Sequence, residues 1–467
     1  MEMEIENQPV IKNPLATESI GKLMGKFAAP AIISNLVGAL YNIVDQIFIG
    51  QKLGTPGNAA TNVVFPLVIM MVTFAMMFGV GGASNISLLL GQGDSEGAGK
   101  VTGNSITLMI ISGLFVSVIA IIFLKPLMIF FGGSDTVLLY SIEYAGILLI
   151  GCPFFIFGTG GSQLIRADGS PRISMLCNLS GAVLNIILDP IFIFGFDMGM
   201  TGAALATIIG QIASATIVVL YLRRFKSVRL RKEHFKLKKN TVFPIFSLGL
   251  SSGMHQIGVT VYHIVINNVL VHYGGLSIYG RDIPLAVSGI ISKVSVLFNS
   301  IILGISQSCQ PIIGFNFGAG NLSRVKKTYK LSVITITVIS AIAFLCYQLF
   351  PRQLISIFGS GDELYFEFAT RYFRIFLSLV IIAGFQVAAS NFFPSIGKGT
   401  LGVFTSMSRQ TLILLPLIVI LPLIFGIDGV LYAGPIADGS AGILATVLVI
   451  REMKKWPDKS KEVVSNE

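Results

Sequence analysis

Residues 124–135 read LKPLMIFFGGSD and residues 351–362 read PRQLISIFGSGD, the same pattern displaced by 227 positions. At that displacement GQGD (91–94) falls on GAGN (318–321), and Lys100 falls on Lys327. One residue further along, ADGSPR (167–172) meets SIGKGT (395–400). A displacement this steady marks an internal repeat. Outward from these anchors, each copy contains six apolar stretches near the roughly 20 residues that a bilayer-crossing helix needs. They fall at 27–50, 59–90, 101–124, 136–158, 172–194 and 200–222, then at 241–272, 283–313, 329–350, 366–388, 400–422 and 429–451. The reading is an all-α polytopic membrane protein with 12 transmembrane helices in two six-helix lobes. The divisions are an N-terminal tail (1–26), an N-lobe (27–222), a basic linker (223–240), a C-lobe (241–451) and a C-terminal tail (452–467). Six helices followed by six in the same orientation form a parallel repeat, an arrangement common in transporters that bind substrate between the repeats.

Composition agrees. Of 467 residues, 53% are hydrophobic and 12% are charged, about half the charge of a soluble domain. That excludes an ordinary soluble enzyme, a disordered chain and a nucleic-acid binder, in spite of a net charge of +10. Residues 1–20 carry four glutamates and no apolar core with a cleavage site, so a signal peptide is not expected. The basic residues sort by face. The termini, the linker RRFKSVRLRKEHFKLKKN and the loops on the same side hold 25 of the 33, and the opposite loops hold four. By the positive-inside rule both termini are cytoplasmic. Cys152, Cys177, Cys309 and Cys346 are scattered through apolar spans and match no metal or redox spacing.

Ionisable residues inside a membrane are costly and usually functional. Asp45 lies in the first span (YNIVDQIFIG) and Asp189 in the fifth (NIILDPIFIFG), with Asn185 one turn before it on the same face. Thr207 lies in the sixth span, in GAALATIIG. Counted from the outer ends of their helices, Asp45, Asp189 and Thr207 sit roughly 8–11 Å deep at 1.5 Å per residue. Two carboxylates, an amide oxygen and a hydroxyl suit a hard cation such as Na⁺ or a proton. The repeat places Ile413 and Leu417 opposite Asn185 and Asp189, so the acids are not a requirement of the fold. Interhelical hydrogen bonding is the competing explanation, above all for Asn185 and Thr207. Candidate cavity residues are Met70 and Met71 in VIMMVTFAMMFG, His263, Lys293, Arg409, and Asp438 in GPIADGSAG. For Lys293, Arg409 and Asp438, lining a cavity competes with simple ion pairing or snorkelling. No metal cluster, nucleophile motif or nucleotide loop suggests an enzyme or a cofactor.

The stretches YNIVDQIFIGQKLG, GQGD, RADGSPR, NIILDPIFIFG with GMTGAALATIIGQ, and GISQSCQPIIGFNFGAGN resemble the multidrug and toxic compound extrusion (MATE) family over roughly residues 25–450. Within it they look like the bacterial and archaeal branch of MepA-like and DinF-like exporters. The resemblance implies two lobes around a central cavity in the cytoplasmic membrane. It implies alternating access and export of amphipathic organic cations in exchange for Na⁺ or H⁺. It also implies a coupling site in the N-lobe, carried onto Asp45, Asn185, Asp189 and Thr207. The chain is expected to act as a monomer, with small organic cations and the bilayer as its partners. A flippase for lipid-linked sugars shares the helical plan, but it would be expected to carry a basic cluster in its cavity, where only Lys293 and Arg409 are candidates.

Overall fold

The computed structural model describes residues 14–358 and 361–457, so much of the N-terminal tail and most of the C-terminal tail lie outside the described residues. The chain is built from helices, with no strand among the described residues. The long ones are α1 (Ile20–Gly91), α2 (Ser95–Ile122), α3 (Asp135–Ala167), α4 (Pro171–Pro190), α5 (Gly199–Leu222) and α6 (Lys239–Gly275). They continue with α7 (Asp282–Gly318), α8 (Leu322–Leu349), α9 (Glu363–Phe376), α10 (Val380–Ser395), α11 (Gly399–Met407) and α12 (Ile427–Met453).

The expected loop between the first two spans is a single break. The 72 residues of α1 would run about 108 Å if straight, but Gly54 leaves helical geometry (φ 62, ψ −151). Only glycine enters that region without strain. Ser34 and Val80, far apart on either side of Gly54, line one cavity, so the chain doubles back there. The expected tenth span is also two pieces, α9 and α10, bent by 54°. The eleventh continues from α11 through a wide-turn segment, Ser408–Leu414, to Phe425. Among the described residues nine helices are apolar and long enough to cross a bilayer, and the bent pair is a tenth. Because α1 crosses twice, and α6 has 37 residues, long enough to cross as well, the count is twelve.

The core divides by halves. Residues from Met71 to Val228, joined by Ile245 at the start of the second half, form one buried cluster, and residues from Ile49 to Ala204 form another. Residues from Ile266 to Ala437 form a third. The start of the chain departs from the expected division, because Leu15, Ile20, Leu23, Met24 and Phe27 pack with Ile305, Phe392 and Val449 of the second half. Its backbone is tied there too. Arg324 donates to the carbonyls of Leu15 at 3.1 Å and Glu18 at 2.7 Å.

The halves meet at the end of the bundle that carries the termini. A Cβ on Gly249 would lie 1.7 Å from the Met77 carbonyl oxygen, and one on Gly318 would lie 2.1 Å from that of Leu88. Arg166 of the first half, buried at the foot of α3, donates to Gln307 of the second at 3.2 Å.

The linker is strapped to the first half. Asp168 accepts from the backbone of Lys226 (2.8 Å) and Ser227 (2.9 Å) and from the Tyr221 hydroxyl (2.7 Å). Asn104 donates to the carbonyls of His234 (2.8 Å) and Lys236 (3.1 Å) and accepts from Lys238 N–H (3.1 Å). Asn104→Ala should therefore speed tryptic cleavage within 229–239 by about tenfold, from loss of roughly 1–2 kcal/mol of net hydrogen bonding. Unchanged cleavage would mean that the strap is held elsewhere. The His234 ring also contacts Glu96 at 3.3 Å and holds that carboxyl below its usual range. A depressed carboxylate stabilises above its ordinary pKa. Linker protection from hydrogen exchange should thus be constant at neutral pH and fall as the pH drops through and below the carboxylate range.

Candidate functional site

Pro171 starts α4 at a position where its missing N–H costs nothing. The helix then carries Asn185 and Asp189 one turn apart on its buried face. The Asn185 amide donates to Asp189 Oδ1 at 3.2 Å and to the Thr207 hydroxyl of α5 at 3.1 Å. Thr207 in turn donates to the carbonyl of Ala203 at 3.0 Å. From α1, Asp45 brings its carboxyl into contact with that of Asp189. Tyr41 and Tyr144 flank the pair. The four residues expected together are together, and the two tyrosines are additions that no sequence pattern marked.

Both amide hydrogens of Asn185 are used, and three oxygens are left over. Asp45 Oδ1, Asn185 Oδ1 and Asp189 Oδ2 are buried with no hydrogen-bond partner. All three are acceptors. A buried, unpartnered acceptor costs about 1–3 kcal/mol, and more when charged. Two touching carboxyls cannot both stay ionised without a cation between them. The site therefore lacks positive charge, which a proton or a small oxygen-liganded cation would supply.

The cavity beside this site has a volume of about 730 Å³ and is walled by both halves. Asn185 and Thr207 open onto it, whereas Asp45 and Asp189 lie just behind its wall. His263 and Arg409 also line it. Asp438 does not, being buried and paired with Arg409 at 2.5 Å. Three further candidates are corrected. The cavity face of the second crossing carries Val72, Met76 and Val80, one turn apart. That register turns Met70 to the outside at 38% exposure and Met71 into the core. Lys293 is exposed but does not line the cavity, although its neighbours Ser292 and Val296 do.

The family model MatE matches residues 30–191 and 252–420. The multidrug export protein MepA of Staphylococcus haemolyticus is 29% identical over 432 residues, covering 92% of this chain and 93% of that protein. MepA of Staphylococcus aureus is 28% identical over 429 residues, with the same coverage. A solved outward-facing multidrug resistance MATE transporter of the MOP superfamily has the same fold, with a TM-score of 0.88 and 24% identity across 95% of this chain and 98% of that one. With most of its length matched by the family model, the chain belongs to the MatE family.

Proposed function

We propose that the chain is a secondary active antiporter that exports amphipathic organic cations from the cytoplasm in exchange for Na⁺ or H⁺. The observation that carries this is the trio of unpartnered buried oxygens on Asp45, Asn185 and Asp189, set directly behind a cavity large enough for a drug-sized molecule. The lobes are 27–222 and 241–451, less the first turns of α1 that travel with the second half. The basic excess on the termini side makes that side cytoplasmic, so the seal at Gly249 and Gly318 closes the cavity to the cytoplasm. Cargo rests between the lobes, where Tyr41, Phe154, Phe155 and Tyr262 offer aromatic faces to a cation. An entering ion neutralises the acid pair, and the pair's new packing alters the first crossing and the cargo wall beside it. Ion and cargo are coupled because each changes the other's affinity.

The test is ethidium uptake into inside-out vesicles under an imposed Na⁺ or pH gradient. Accumulation driven by one of them is expected and identifies the ion. No uptake under either overturns the proposal. Asn185→Ala removes the donor that holds Asp189 and Thr207 in place. It should raise the ion concentration for half-maximal transport by roughly ten- to a hundredfold, the value of a hydrogen bond to a charged group. An unchanged half-maximal concentration would remove Asn185 from the ion site.

A further inference from the structure

We propose that the second-half wall of the cavity carries an anion subsite at Arg409, which takes a carboxylate on the cargo. This rests on the export reading and adds to its cargo amphipathic aromatic cations that also bear a carboxylate. Every acid near the cavity lies behind the wall: Asp45, Asp189 and Asp438 are each at most 8% exposed, and none lines the cavity. Among the described lining residues Arg409 is the one with a permanent charge. Its orientation is built. The wide-turn segment Ser408–Leu414 interrupts the regular helix at this point, as such segments often do at functional sites. Gln386 holds the carbonyls just before it, donating to Thr405 at 2.6 Å and Ser406 at 3.3 Å.

Asp438 takes only Arg409 Nε. Among the described residues the two Nη groups have no hydrogen-bond partner, and the side chain is 24% exposed into the cavity. A guanidinium anchored through Nε presents its remaining nitrogens as a planar fork, the geometry that matches a carboxylate. The pair as a whole is neutral, but its positive end faces the cargo. The repeat shows that the fold does not need it. At a displacement of 228, Arg409 and Asp438 correspond to Gly181 and Gly210. There the helices meet backbone to backbone, so that a Cβ on Gly210 would lie 2.6 Å from the Gly181 carbonyl oxygen. The second half has replaced a glycine contact with a buried acid and a cavity-facing cation.

The test uses the full-length protein in nanodiscs, titrated with rhodamine B, which has a free carboxylate, and with its ethyl ester, which lacks one. Wild type should bind rhodamine B about tenfold more tightly than the ester, the worth of one charge-assisted hydrogen bond. Arg409→Gln should reduce that preference to within about twofold while leaving ester affinity within about threefold. Arg409→Lys, which keeps the charge without the fork, should fall between. Because Arg409→Gln strands a buried acid, the double variant Arg409→Gln/Asp438→Asn provides a form with no unpaired charge and should show the same loss of preference. Equal binding of both dyes by wild type, or a preference that survives in both glutamine variants, overturns the subsite and leaves the export reading standing. Failure of wild type to bind either dye overturns both.

Discussion

Asp45→Asn and Asp189→Asn are each expected to abolish gradient-driven export, bringing ethidium transport down at least a hundredfold to the level of empty vesicles. The substitution keeps the volume of the side chain and removes only its ability to lose a proton or bind a cation as an anion. At each position it leaves one carboxyl beside an amide. The amide can donate to the remaining acid and satisfy one of the acceptors now unpartnered. Folding should therefore survive. A touching pair of buried carboxyls is a net cost in the folded protein, so the melting temperature of either variant is expected to equal or exceed that of the wild type. Loss of transport with retained stability separates a coupling role from a structural one. Two acids that serve one ion should not have additive effects. The double variant is expected to be no worse than either single one. Wild-type export by both single variants would remove the pair from the mechanism.

These acids were legible in the sequence because the signal was local. A carboxylate inside an apolar helix stands out, and the spacing of Asn185 and Asp189 puts them on one face whatever the packing. The halves were legible because the repeat returns in register. The misses share a different cause. Met70 and Met71 belonged to a methionine-rich run, but which turn of a helix faces the cavity depends on its rotation against neighbours, and here Val72, Met76 and Val80 face inward. Gly54 sat inside an apparent loop, and only the backbone reveals that one residue makes the whole reversal. Pairing of Arg409 with Asp438 joins helices 29 residues apart and cannot be read from either helix alone. The internal repeat held a usable signal for it, since both residues stand opposite glycines in the first half. Packing of Leu15–Phe27 against the second half runs against chain order. It was hidden because the first apolar span looks the same whichever half it touches.

The seal between the halves gives the second large effect. Gly249→Val and, independently, Gly318→Val are expected to shift the protein from the conformation closed at the termini end to one open there. At both positions the obstacle is backbone: the Met77 carbonyl 1.7 Å from a Cβ on residue 249 and the Leu88 carbonyl 2.1 Å from one on residue 318. No rotamer relieves a clash with a carbonyl in the middle of a neighbouring helix. The helices must separate by more than 1 Å, which breaks the matching contacts along the seal, including the 3.2 Å bond between Arg166 and Gln307. Forcing bulk into a fitted contact costs about 1–3 kcal/mol or more, enough to shift a two-state equilibrium by roughly ten- to a hundredfold. The cost falls on one conformation only, because the clusters from Ile49 to Ala204 and from Ile266 to Ala437 each lie within a single half. The variants should therefore fold normally and fail to transport. Spin labels at Gln92 and Ser323, on the termini side of the two halves, should move apart. Labels at Ser134 and Leu364, beside the two copies of the repeated loop on the other side, should move together. If both distances match the wild type in both variants, these glycines do not form the gate, and the closure at the termini end belongs to the fold rather than to one state of it.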